Sequence, residues 1–125
     1  MTVHWQSTGE GDPVLLIAGL GLPASSWWRT VPVLARRFRV LTYDHSGVGA
    51  SAERRAPFST AAMAEDAISV LDAAGVERAH VYGTSLGGLV AQQIATRHPA
   101  RIDALVLGGT HPGGHRAQPP ERAVL

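Results

Sequence analysis

The stretch His80-Val81-Tyr82-Gly83-Thr84-Ser85-Leu86-Gly87-Gly88 sets a serine between glycines, where a short apolar run gives way to an alanine-rich amphipathic one. A hydroxyl lifted out of a strand-to-helix turn can attack a carbonyl. To be lifted, the serine must hold a strained backbone, and the chain then folds back so tightly that the residues two before and two after it crowd each other. Glycine at both places, Gly83 and Gly87, removes that clash. Gly88 lets the following helix approach neighbouring strands. The N–H of Leu86, at the start of that helix, can donate to a developing oxyanion with help from the helix dipole. The same residues also read as an ordinary glycine-rich turn with a serine cap, because a bare G-x-S-x-G arises often by chance.

An oxyanion hole needs a second backbone donor from another loop. The loop after "VLLIAG" (Val14 to Gly19) is the natural source: Gly19 permits close approach, and the Leu20 N–H would point into the site. A rival reading exists here. Gly19-Leu20-Gly21-Leu22-Pro23-Ala24 matches the dinucleotide fingerprint G-x-G-x-x-A, and Asp44 ends the next strand at a suitable distance. That fingerprint needs its helix to begin within the glycines, whereas Pro23 and the Ser25-Ser26-Trp27-Trp28 run delay it. A dinucleotide-binding domain would also leave Ser85 unexplained.

Serine is a weak nucleophile unless a base takes its proton. Of the six histidines, His111 is the nearest candidate base, because it follows "LVLGG" at the carboxyl end of a strand. A loop residue without catalytic role is the competing reading. His80 begins a strand at the wrong end of the sheet. His98 ends a helix, and His4 and His115 lie in terminal segments. Asp44 suits the fixing of its own loop, by accepting backbone N–H groups, better than the role of a triad acid. No acid pair has glycosidase spacing, and the histidines form no metal-ligand pattern. No cofactor and no metal are expected.

These residues must be positioned by alternating strands and helices. Strands are expected at Val14 to Gly19, Arg39 to Asp44, "AHVYG" and "IDALVLGG". Helices are expected over "ASSWWRTVPVLARRF", capped by Ser25 or Ser26 with Trp28, Val31, Leu34 and Ala35 near one face, over "STAAMAEDAISVLDAAG", capped by Ser59 or Thr60 and ended by Gly75, and over "LGGLVAQQIATRH", stopped by Pro99. Met63, Ala67, Val70 and Leu71 make the apolar stripe of the second. Trp5, Trp27 and Trp28 read as packing residues, with Trp27 or Trp28 able to line a pocket. Strands separated by helices imply an α/β fold, a mostly parallel sheet covered by flanking helices. Residues 1–125 are expected to form one domain, with 110–125 an irregular Pro/Gly tail.

Composition bounds the partners. The chain has 125 residues, is 45% hydrophobic and 17% charged, and carries a formal net charge of +1. That size and composition suffice for a single buried core, and the charge balance gives no footprint for nucleic acid or an acidic membrane. The absence of cysteine excludes disulfides and thiolate chemistry. The N-terminus "MTVHWQSTGEGDP" lacks the regions of a signal peptide, and no apolar run could cross a bilayer, so a soluble cytoplasmic protein is expected.

Four motifs together resemble the N-terminal part of an α/β-hydrolase: "VLLIAGLG" for the oxyanion-loop strand, "RVLTYDHSGVGAS" for the D-x-x-G-x-G-x-S loop, "GTSLGG" for the nucleophile elbow, and "RIDALVLGGTHPGG" for the next strand. Within that superfamily the chain is most similar to esterases and 3-oxoadipate enol-lactonase-like proteins. The resemblance implies that Ser85 is the nucleophile, that the N–H groups of Leu20 and Leu86 form the oxyanion hole, and that a small ester or lactone is the substrate. Ala18-Gly19 stands where the family often has His-Gly, and Asp44-His45-Ser46-Gly47 where it has D-x-R-G. In the family the acid and histidine follow on later strands, so this chain reads as a partial fold, truncated after the strand beyond the elbow. The alternatives are a catalytically inactive truncated product and, less in keeping with Ser85, a dinucleotide-binding domain. "IDALVLGG" would then be an edge strand, open to self-association.

Overall fold

The computed structural model describes residues 3–53 and 59–114. Residues 54–58 and the tail from His115 onward lie outside the described residues. Among the described residues five strands form one sheet: β1 (Trp5–Thr8), β2 (Asp12–Ile17), β3 (Phe38–Tyr43), β4 (Ala79–Thr84) and β5 (Ile102–Gly108), in the order β1-β3-β2-β4-β5. β1 runs antiparallel to β3, and the other neighbours are parallel. The helices are α1 (Thr30–Leu34), α2 (Thr60–Ala73) and α3 (Leu86–Arg97).

The period-2 alternation of the strands feeds two apolar layers. Leu15, Ile17, Leu41, Tyr43, Ala79 and Val81 face α2 and α3, which contribute Ala64, Ala67, Ile68, Leu71, Val90 and Ile94. Val14, Leu16, Ala18 and Val40 face the other way, toward Trp27 and, less buried, Val31 and Leu34. Burying both faces is what near-continuous apolar strands require, and it confirms the expected α/β class.

Two segments differ from the sequence expectation. β1 was not anticipated: it is four residues long and three of them are exposed, so it carries no alternation signal. The single helix expected over "ASSWWRTVPVLARRF" is instead a 3-10 turn at Ala24–Trp27 followed by the five-residue α1. Neither Ser25 nor Ser26 caps it. Pro23 takes that place without a side-chain cap, and the Ala24 N–H is received by the Asp44 carboxylate, Oδ1, at 2.6 Å. A buried carboxylate from β3's end thus does the capping and pulls the chain into a turn. Trp27 is buried against Tyr82, ring centroids 5.7 Å apart, whereas Trp28 is exposed, under the Arg29 guanidinium. α2 follows expectation: Ser59 accepts the Ala62 N–H at 3.0 Å, and Gly75 leaves the helix at φ +71°.

The chain passes from β2 to β3 on one side and then returns to β4 on the other side of β2. The switch point therefore lies between β2 and β4, and the carboxyl ends of these two strands are where such a sheet opens a crevice. The loop after β2 and the turn carrying Ser85 meet there. Among the described residues no helix is long and apolar enough to cross a membrane.

Candidate active site

Ser85 is the one non-glycine residue with positive φ among the described residues, at φ +53° and ψ −122°. An L side chain adopts that conformation only when its surroundings over-determine it. They do so here. The Ser85 N–H donates to the Gly108 carbonyl at the end of β5, 3.0 Å away. Its carbonyl accepts from the Gly88 N–H at 2.9 Å and from the Thr110 hydroxyl at 2.8 Å. The residue itself is exposed.

The glycines around it leave no space for side chains. A Cβ on Gly83 would fall on the backbone of Gly87, as the crowding argument requires. Gly87 is glycine for a second reason as well: its Cβ would strike the carbonyls of Ile17 and Ala18 at the end of β2. Gly88 faces the Thr110 side chain, with 2.5 Å left for a Cβ. The start of α3 is thus wedged between β2 and the chain leaving β5. Leu86 is its first residue, so no carbonyl within the helix accepts the Leu86 N–H.

The second loop lies against the elbow. A Cβ built on Gly19 would sit 3.5 Å from the Ser85 Cβ. The Leu22 N–H donates to the Gly19 carbonyl at 3.2 Å, closing a turn with Gly21 at φ +69°. Leu20, at its tip, is 80% exposed. Helix does not begin within these glycines, since α1 starts only at Thr30. The dinucleotide fingerprint therefore lacks the geometry it needs.

Asp44 is buried and spans two loops, accepting from Ala24 at 2.6 Å and from Ala50 at 2.8 Å. His45 is also buried, and its Nε2 donates to the Ala18 carbonyl at 2.9 Å. Burial pushes the Tyr43 hydroxyl far above its ordinary range, and the charge on Asp66 adds to the effect. His111 is exposed, and its Nδ1 accepts the Gly113 N–H at 2.9 Å. No histidine among the described residues is hydrogen-bonded to the Ser85 hydroxyl.

The structure thus brings together Ser85, Leu86, Gly83, Gly87 and the Gly19–Leu20 loop, and ties the His111 ring into its own turn. Sequence reasoning missed Thr110, which buttresses the elbow, and the hold of His45 on the loop after β2. Each has its partner on a distant strand or turn, and only the order of the strands reveals it.

A strained serine at a βα turn, lodged at the switch point of a mostly parallel sheet, defines a class, and the family model agrees. Residues 12–123 match the alpha/beta hydrolase fold, and the chain belongs to that family. Its relatives narrow the picture. A protein of Azorhizobium caulinodans named for carbamate hydrolysis (RutD) is 41% identical over 105 residues, covering 84% of this chain and 40% of its own length. The enol-lactonase of Burkholderia xenovorans LB400 superposes with a TM-score of 0.79 at 31% identity, over 86% of this chain and 43% of that one. A hydrolase from Pseudomonas aeruginosa gives 0.78 at 37% identity, over 85% and 41%. The chain therefore spans about two fifths of the length of these relatives, and it carries the part of the hydrolase fold that holds the elbow.

Proposed function

We propose that this chain carries the nucleophile and oxyanion hole of a serine hydrolase acting on ester or lactone bonds. Ser85 Oγ attacks the carbonyl carbon while a base takes its proton. The N–H groups of Leu20 and Leu86 receive the oxyanion. The bond to the leaving alcohol breaks as that oxygen takes the proton, leaving an acyl-serine and an alcohol. Water then attacks the acyl carbon, releasing the acid and restoring the Ser85 hydroxyl. In a lactone both products remain one molecule. The relatives' names extend the chemistry to carbamates, which share the attacked carbonyl.

The observation that carries this reading is Ser85 at φ +53° over glycines that no side chain could replace. One observation favours the competing reading, an elbow without proton transfer: the Nδ1 of His111 is taken by Gly113. A fluorophosphonate probe separates the two. Labelling of wild type, lost in Ser85→Ala, together with Ser85-dependent hydrolysis of p-nitrophenyl acetate, supports the hydrolase. An unlabelled, folded wild type supports the inactive elbow. Hydrolysis that survives Ser85→Ala removes Ser85 from the mechanism.

A further inference from the structure

We infer that His45 is a positioning residue for the oxyanion loop, acting through the Ala18 carbonyl on the direction of the Leu20 N–H. The inference rests on the reading of Ser85 and Leu20 given above. His45 lies just past β3 and is only 4% exposed. A carbonyl oxygen carries no proton, so the 2.9 Å bond to Ala18 puts the hydrogen on Nε2. The imidazole packs edge-on against the buried Tyr43 ring, centroids 5.3 Å apart, which limits its swing.

The same carbonyl is confined from its other side. A Cβ on Gly87, in the elbow, would lie 2.7 Å from the Ala18 oxygen. The Ala18–Gly19 peptide is therefore held between the elbow helix and His45. One residue on, the Gly19 carbonyl is engaged by the Leu22 N–H. Peptide units are trans, so the Leu20 N–H points opposite to that carbonyl. With two successive carbonyls held, the direction of the Leu20 N–H is set. The far end of the loop is fixed by the neighbouring residue, since Asp44 Oδ1 receives the Ala24 N–H at 2.6 Å. Two consecutive side chains thus clamp one loop at both ends, and His45 is the clamp beside the donor.

This role differs from that of a base. His45 follows β3, which is two strands from β4, and its Nε2 is already committed to a carbonyl. Removing it should misdirect a donor without removing a proton acceptor from the reaction.

The test compares His45→Gln, whose side-chain amide can reach the place of Nε2–H, with His45→Asn and His45→Ala, which cannot. In p-nitrophenyl acetate hydrolysis, kcat should fall on the order of tenfold in the Ala and Asn variants, with KM within about twofold, because an oxyanion donor works mainly in the transition state. The Gln variant should stay within about threefold of wild type and keep the shape of its pH profile. In 15N-labelled protein the Leu20 amide should shift and exchange faster in the Ala and Asn variants and return in Gln, while Leu86 stays unchanged. Wild-type kcat with an unmoved Leu20 amide in His45→Ala overturns the inference. So does a Gln variant as impaired as Ala at an unchanged melting temperature. If wild type shows no Ser85-dependent turnover, the proposed function fails, and the Leu20 amide decides this inference separately. Movement in Ala that Gln restores supports it, and no movement overturns it.

Discussion

Ser85 holds a backbone conformation that costs an L residue about 1–3 kcal/mol, and three hydrogen bonds through Gly108, Gly88 and Thr110 hold it there. Because Gly83 packs directly on the Gly87 backbone, which cannot yield like a flexible side chain, Gly83→Ala should destabilise the protein by about 1–3 kcal/mol. It should also lower Ser85 labelling, both checked by chemical denaturation and the fluorophosphonate probe. Asp44→Ala should cost about 2–3 kcal/mol, since it strands the N–H groups of Ala24 and Ala50. Urea unfolding measures that loss, and an unchanged midpoint would contradict it. The elbow was legible in the sequence because its glycine requirement is local, spanning two residues either side of Ser85. The contact of Gly87 with the Ile17 and Ala18 carbonyls was not, and neither were the bonds of His45 and Thr110, whose partners lie 27 and 25 residues away.

Elements reveal themselves in a sequence when burial imposes a period. β2, β3, β4, α2 and α3 are each buried enough to show one, and they were legible to within a few residues. β1 and α1 were not. β1 is a mostly exposed strand, and α1 is cut short by the turn that Asp44 caps. α2 and α3 pack together over one sheet face, and a polar pair crosses their outer edge: His98 Nε2 lies 2.8 Å from Glu65 Oε1, with Arg97 at 3.5 Å. The hydrogen bond from His98 holds the Glu65 carboxyl below its ordinary 4.5, aided by the charges of His98 and Arg97. A carboxylate so lowered stabilises the fold above its unfolded pKa, and that contribution is lost as pH falls through the folded value. Both groups are substantially exposed, so the effect is small. The melting temperature of Glu65→Gln should therefore fall slightly below wild type at pH 6, and the gap should close as pH falls below 4.5 and the carboxyl takes up its proton. A gap that widens toward acid would reverse the assignment.

At the scale of the whole molecule, the two sheet faces are unequally covered. α2 and α3 cover one of them, whereas among the described residues the opposite face holds only the short α1 and the 3-10 turn. An open apolar cavity of about 320 Å³ remains there, between Leu34, Phe38, Tyr82 and Val106. Among the described residues β5 ends the sheet, hydrogen-bonded to β4 alone. Leu105, Val106 and Leu107 are 37%, 54% and 42% exposed, on both faces of that edge. An apolar edge strand with unpaired N–H and C=O groups and no lysine or proline to discourage pairing is a template for another chain. The 125-residue chain on its own is accordingly expected to self-associate through β5. Light scattering after size exclusion should give a mass above 13.2 kDa that rises with concentration. Val106→Lys places a charge on the exposed face of the edge and should shift the population toward the monomer, with little change in melting temperature. A wild-type chain that stays at 13.2 kDa across concentrations would show that β5 is tolerated as a free edge.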